Sequence, residues 1–489
     1  MIPLISRSLS FQESKAIISD GKSYSYKDLL ERSEEISCYL LGSNTDLNEA
    51  RVAFMVEPGF DYVAVQWGIW RAGGIAVPLC ITYPEDALMY VVEDTQATHI
   101  IASEVFSDIA LSVAVKYGSS FAIVKNCFEE RKTLPEIDVE RRAMILYTSG
   151  TTSKPKGVVT THKNITAQIS SLVVAWEWAS SDHVLCVLPL HHVHGIINVI
   201  GSALWSGATC EFLPEFSPEG IFEKFYKGEI NLFMAVPTIY FKLITYVDTC
   251  SDLEKEKIYN CLKKFRLMVS GSAALPVSVM EKWKVVSGHD LLERYGMTEI
   301  GMGISNPYEG SRRPGFIGQP LPGVSIRLTD EQDLQIQGEP GEIQVKGDSV
   351  FNEYWHRPEA TSSSFTKDGW FKTGDIAELV DGSYRILGRS STDIIKSGGY
   401  KISALEIEEI IRQEKGILDC SVVGLPDDEW GELIASALIT SDLFNLEELI
   451  ASLKSKLPGY KMPRKFKLLT DLPRNAMGKV TKNELKKIF

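Results

Sequence analysis

Ile145–Val159 reads ILYTSGTTSKPKGVV. An apolar run opens into Thr148, Ser149, Gly150, Thr151 and Thr152, followed by Lys154, Lys156 and Gly157. A buried strand that ends in such a loop places hydroxyls and glycine amides around phosphate oxygens, and the lysines add positive charge. The spacing is not that of the common triphosphatase loop, which needs Gly-Lys followed by Ser or Thr. Here Lys156-Gly157 is followed by Val158, which disfavours a GTPase or kinase of that kind. The competing reading is a polar surface loop rich in turn residues. So many hydroxyls, glycines and lysines directly after a buried strand favour phosphate.

Outward from this loop, the first two-thirds of the chain alternates helices and strands. Lys27 to Leu41 has helical spacing, Arg51 to Val56 is a short apolar run, and Asp61 to Trp70 is helical again. IAVPL reads as a buried strand, Glu85 to Asp94 as a helix, and THIIAS as a strand. From His183 the order recurs in HVLCVLPL, a helix through Val199 to Trp205, ATCEFL, a helix at Glu219 to Lys227, and INLFMAVP. After Gly315 the runs shorten and alternate, as in VSIRL and GEIQVKG, and Asp381-Gly382 marks a tight hairpin. A last unit holds helix Ala404 to Gln413, strands CSVVGL and IASALIT, helix Asn445 to Leu457 and strand KFKLL. The fold class predicted is α/β: a large N-terminal domain of two related α/β layers plus a β-rich subdomain, then a small mobile α+β C-terminal domain. The boundary is placed at 389/390, giving domains 1–389 and 390–489.

At 489 residues the chain exceeds one ordinary core, so more than one domain is expected. A formal net charge of -13 argues against nucleic acid as the main partner. The eight cysteines are scattered with no CxxC, which argues against a zinc site or a disulfide framework. The start lacks the features of a secretory signal, and the apolar stretch from Tyr62 to Leu79 is broken by Arg71 and two glycines. No membrane span is expected, and the location expected is cytoplasmic, with an organelle matrix left open.

Further motifs follow in order: SGSAALP (Ser270 to Pro276), RYGMTE (Arg294 to Glu299), FKTGD ending at Asp375, GR ending at Arg389, and PRNAMGK ending at Lys479. Together with the loop they resemble the signatures of the adenylate-forming superfamily of acyl-CoA synthetases, firefly-type luciferases and adenylation domains, over nearly the whole chain. The resemblance implies ATP, Mg²⁺ and coenzyme A as reactants and cofactor. It implies a nucleotide site of Thr148, Ser149, Gly150, Thr151, Thr152, Lys156, Gly271, Ser272, Ala273, Tyr295, Gly296, Met297, Asp375 and Arg389. Thr298 and Glu299 then contact phosphate and magnesium, and Lys479 serves adenylation. His192 and His194 in LPLHHVHG line the acyl pocket. The spacing of His191, His192 and His194 alone allows a metal, but nothing completes such a site. Lys396, Gly398 and Gly399 face the pantetheine of coenzyme A once the small domain rotates about a hinge in 390–393; a simple turn explains the glycine pair equally well. Taken singly, Lys479 reads as a solvated lysine and Asp375 as a turn residue, and only their motifs change that.

Arg294 stands where the family pattern has glycine, an arginine shared with malonyl-CoA and methylmalonyl-CoA synthetases. A guanidinium in an acyl pocket calls for an anion, and a second carboxylate on the substrate supplies it. Arg294, Lys242, His192, His194 and Met302 are therefore the acyl-site candidates, Lys242 standing where bacterial members carry a second arginine. The alternative for Arg294 is a salt bridge to Glu293 or another acid of the fold. Rival functions are a synthetase for a monocarboxylic acid, or an adenylation enzyme loading a carrier protein in trans. A nucleotide-binding regulator without chemistry fits poorly with the intact set Thr148, Lys156, Glu299, Asp375, Arg389 and Lys479.

Overall fold

The computed structural model describes residues 2–148, 155–213, 215–474 and 479–489. A seven-stranded sheet runs in the order Glu353–Tyr354, Lys156–Thr161, Arg142–Thr148, Ile75–Pro78, Arg51–Met55, His99–Ala102, Ser120–Ile123. Its strands from Arg142 onward in that order pair in parallel. Arg142–Thr148 then turns back antiparallel into Lys156–Thr161. The described element that follows the hydroxyl-rich stretch is therefore a strand, where the triphosphatase pattern has a helix.

A nine-stranded sheet runs Gln319–Pro320, Gly301–Ser305, Leu292–Met297, Leu267–Ser270, Leu232–Ala235, His183–Cys186, Thr209–Phe212, Lys15–Ser19, Lys22–Ser25. Its central strands are parallel and its edges antiparallel. These are the two related layers read from the sequence. One apolar core joins them, taking Val52 and Phe54 from one sheet and Val184, Leu232, Leu267 and Leu292 from the other. Helix Phe60–Arg71 is buried at Tyr62 through Trp70, as a helix enclosed on all sides must be. Trp70 donates its indole N–H to Ala143 O at 2.7 Å, so burying that ring strands no donor.

The helix expected from Val199 to Trp205 begins earlier, at His194. A π-helix, His194–Gly201, precedes α-helix Ser202–Ser206. Gly195 and Gly201, poor helix formers, hid it. A Cβ on Gly201 would lie 2.8 Å from the Ile169 side chain, so close packing demands the glycine. Such π segments recur at functional sites, and this one starts at a candidate acyl-pocket residue.

A four-stranded antiparallel sheet follows, ordered Val324–Thr329, Gly341–Gly347, Phe371–Val380, Ser383–Arg389. Asp381 and Gly382 both have positive φ, 51° and 77°, the requirement of a two-residue hairpin turn. At Arg389 the chain leaves this sheet, and at Ile394 it enters a five-stranded one with its own helices Ala404–Arg412 and Leu446–Lys456. Among the described residues, no helix is long and apolar enough to cross a membrane.

Candidate functional site

The candidate residues gather where parallel strands end, the usual ligand crevice of such sheets. Thr148 closes one strand and Lys156 starts its hairpin partner, directly across from it. Ser149, Gly150, Thr151, Thr152 and Lys154 lie outside the described residues. Gly271, Ser272 and Ala273 follow strand Leu267–Ser270, the three histidines follow strand His183–Cys186, and Arg294 to Met297 belong to strand Leu292–Met297. Thr298 and Glu299 occupy the turn before strand Gly301–Ser305. Met302 packs on Gly296, where an added Cβ would lie 2.1 Å from Gly301 O and 2.5 Å from Met302 Cε.

On the other side, cross-strand register sets Asp375 directly opposite Arg389. Arg389 Nε donates to Asp375 Oδ1 at 3.1 Å, and Arg389 Nη2 donates to Thr373 O at 3.0 Å. Tyr295 donates its hydroxyl to Asp375 Oδ2 at 2.6 Å. Burial, aided by the charge of Asp375, holds that phenol far above its ordinary pKa, so it remains a donor. Asp375 is thereby fixed from two sides, with the geometry of a carboxylate that accepts hydroxyls.

Glu299 is buried, and the Tyr354 hydroxyl donates to its Oε1 at 2.9 Å. Burial raises its pKa above the ordinary carboxylate value, against the lowering effects of Tyr354, Arg389 and Lys156. A neighbouring cation would reverse that rise, which is the electrostatic demand of a metal ligand. Among the described residues no cluster of three acidic, histidine or cysteine side chains forms a metal cage. One carboxylate suffices for Mg²⁺, which keeps several waters and takes the rest of its shell from substrate phosphates. The residues present therefore fit that ion. Lys156 Nζ lies 4.9 Å from the centroid of the Tyr354 ring. Tyr354 escaped the sequence reading: it arrives through a two-residue edge pairing of Glu353–Tyr354 with Val158 and Val159, which no local pattern announces.

On the side that the sequence reading assigns to the acyl group, buried nitrogens cluster. Arg294 is 3% exposed; its Nη2 donates weakly to Ser272 Oγ at 3.4 Å, and its Nε has no partner among the described residues. The alternative salt bridge to Glu293 is not formed: Glu293 Oε1 instead accepts Leu275 N at 3.0 Å. Burial pushes the Arg294 guanidinium down to about 9 and the Glu293 carboxyl up to about 8. An arginine stays protonated in practice, so the downward pressure measures its want of an anion. His194 Nδ1 lies 3.1 Å from Ser272 Oγ. Burial first, then the Arg294 charge, drives the His194 pKa well below 6.5, and burial takes His192 to about 3. Burial thus favours the neutral form of both rings. His194 Nε2 and His192 Nε2 are each buried without a hydrogen-bond partner among the described residues. Lys479 is exposed as a residue, yet desolvation of its ammonium lowers its pKa, opposed by Asp375. Arg389 and Arg294 also press on it, and it presses on His192, so Lys479 sits between the nucleotide and acyl sides.

Lys242, expected in the acyl pocket, is not drawn in. Lys242 is exposed on helix Pro237–Thr249, its Nζ 5.2 Å from the Phe216 ring centroid, with no ion pair or hydrogen bond to the pocket. Gly398 and Gly399, at φ 57° and 82°, form a two-residue turn between Ile394–Ser397 and Tyr400–Ser403; the turn alone requires the glycines. Lys396 beside them is exposed, with its backbone N–H on Glu432 Oε2.

A model described as AMP-binding enzyme matches residues 7–355, and one for the C-terminal domain of the same enzymes matches 406–479. The chain belongs to the AMP-binding enzymes. Among relatives, the malonate–CoA ligase ACSF3, mitochondrial, of Homo sapiens is 42% identical over 529 residues, covering 100% of this chain and 92% of that one. Among solved structures, ATP-bound MatB from Rhodopseudomonas palustris superposes with a TM-score of 0.92 at 31% identity, covering 100% and 99% of the two chains. The O-succinylbenzoate coenzyme A synthetase MenE of Bacillus subtilis, in complex with ATP and a magnesium ion, gives 0.86 at 26% identity, covering 99% of each chain. For an AMP-binding enzyme the two-sided crevice is coherent, with Asp375, Arg389 and Glu299 on one side and neutral histidines with a buried arginine on the other.

Proposed function

We propose that this AMP-binding enzyme is an ATP-dependent acid–CoA ligase whose acid is malonate or methylmalonate. The observation that carries the acid assignment is the buried Arg294, which has no anionic partner among the described residues, beside the Nε2 atoms of His192 and His194, likewise without a partner there. A buried guanidinium stabilises a carboxylate and penalises a plain alkyl chain, because a buried charge left unpaired costs several kcal/mol. The likeness to named malonate–CoA ligases supports the same acid. Lys242, exposed and turned to Phe216, has no part in this reading.

One carboxylate oxygen of the acid attacks the α-phosphorus of ATP; the bond to the β-phosphate oxygen breaks and pyrophosphate leaves. Two anions must meet, so positioning and charge neutralisation dominate. Lys156 and Lys479 supply positive charge, Asp375 accepts the ribose hydroxyls, and Arg389 holds Asp375 in place. Glu299 would hold Mg²⁺, which supplies charge neutralisation at the phosphates when bound. The thiolate sulfur of coenzyme A then attacks the acyl carbon, and the C–O bond to AMP breaks. In this reading the unit of residues 390–489 rotates at 390–393 between the two steps, exchanging Lys479 for the Gly398–Gly399 turn.

The test is AMP release across a panel of mono- and dicarboxylic acids, with and without coenzyme A. The expected result is strong release with malonate or methylmalonate that multiplies when coenzyme A is added. Preference for acetate or a longer monocarboxylic acid would overturn the acid assignment, and indifference to coenzyme A would favour a carrier-protein acceptor.

Gly271→Ala provides a sharper local test. A Cβ there would lie 2.3 Å from Arg294 Cζ and 2.4 Å from its Nε, so the guanidinium must shift. The expected outcome is a KM for malonate raised roughly tenfold or more, the equivalent of about 1.4 kcal/mol, with KM for ATP little changed. Steady-state kinetics in both substrates checks it.

A further inference from the structure

Lys482 lies three residues beyond Lys479, with its ammonium buried. Nζ is 2.7 Å from Asp393 Oδ1 and 2.9 Å from Glu408 Oε1. Glu408 is fixed in turn, accepting Val422 N at 2.8 Å and facing Arg412 Nη2 at 3.1 Å. The Asp393 arm leads elsewhere. Its other oxygen, Oδ2, accepts the backbone N–H of Arg389 at 3.0 Å, and Asp393 N donates back to Arg389 O at 2.8 Å. Gly388 admits this closure, since a Cβ there would lie 2.4 Å from Asp393 Cβ. Arg389 holds Asp375. A continuous chain of contacts therefore runs Asp375, Arg389, Asp393, Lys482. The segment carrying Lys479 is pinned close by, through the bridge between Arg474 and Val480 and through Thr481 N on Pro473 O at 2.8 Å.

We propose that Lys482 is a positioning residue for adenylation: its ion pair with Asp393 sets Lys479 in register with Asp375 and Arg389. This rests on the reading of Lys479 as the adenylation lysine. If Lys482 served only to hold its own unit together, the Glu408 arm would suffice and both half-reactions would suffer alike. The Asp393 arm reaches the nucleotide-side sheet, so its loss falls on the step that needs Lys479 there.

The experiment measures acid-dependent ATP–pyrophosphate exchange and, separately, thioester formation from supplied acyl-adenylate, with melting temperatures alongside. Lys482→Met is expected to lower the exchange kcat roughly tenfold or more while thioester formation stays within about twofold, and Lys482→Arg to restore most of the exchange. Asp393→Asn keeps an acceptor for Arg389 N but removes the charge; it is expected to match Lys482→Met, with the double variant no worse than the poorer single. Equal loss of both half-reactions, no rescue by arginine, or additive effects of the two substitutions would overturn the inference. Lys479→Ala run in the same assay separates the two ideas: exchange unaffected by it would overturn the adenylation reading itself.

Discussion

Lys479→Ala abolishes acid-dependent pyrophosphate exchange, to roughly 10²–10³-fold below the unchanged enzyme, while thioester formation from supplied acyl-adenylate persists. The size follows from removing one donor aimed at charge that develops in the transition state. The selectivity follows from position. Lys479 lies within electrostatic reach of Asp375, Arg389, Arg294 and His192, residues that the proposed function assigns to the nucleotide and to the acid. Thioester formation places its charge at the acyl carbonyl and needs room for a thiol instead. Single-turnover measurement of each half-reaction checks this. Equal loss of both would refute the division of labour.

The second large effect concerns Arg294. Arg294→Ala removes the guanidinium partner of a distal carboxylate and leaves His192, His194, Ser272 and the more distant Lys479 ammonium around it. Truncating one side of such a buried pair costs about 2–5 kcal/mol, or about 30-fold and upward in apparent affinity. Malonate turnover collapses, while acetate or propionate turnover holds or rises because a buried charge that these acids cannot pair has been removed. A common factor for malonate and acetate would instead assign Arg294 to the fold. Glu293 gives no compensation, since it is engaged by Leu275 N.

How far the sequence carried the reading depends on the kind of contact. The alternating layers and the Asp381-Gly382 turn are local patterns, legible in the sequence. Asp375 and Arg389 were legible as motif members, but their mutual pairing is a matter of cross-strand register. Tyr354 was invisible because an edge strand delivers it across the sheet. Lys242 misled for a simple geometric reason: on helix Pro237–Thr249, Tyr240 and Leu243 take the buried face and leave Phe241 and Lys242 outward. Lys482 carries no signal in the sequence, and only the fold shows two carboxylates closing on it. Arg294 fell between these cases. Its departure from glycine raised the question, and its burial without an acid partner gives the answer its physical basis.

Adenylation requires that a carboxylate oxygen of the acid become bonded to the α-phosphorus of ATP. Malonate labelled with ¹⁸O in its carboxylates, incubated with the enzyme, ATP, magnesium and coenzyme A, tests that bond directly through the mass of the AMP released. The account predicts one ¹⁸O atom in the AMP phosphate for each thioester formed. AMP free of label, or ADP with the label in inorganic phosphate, would contradict it.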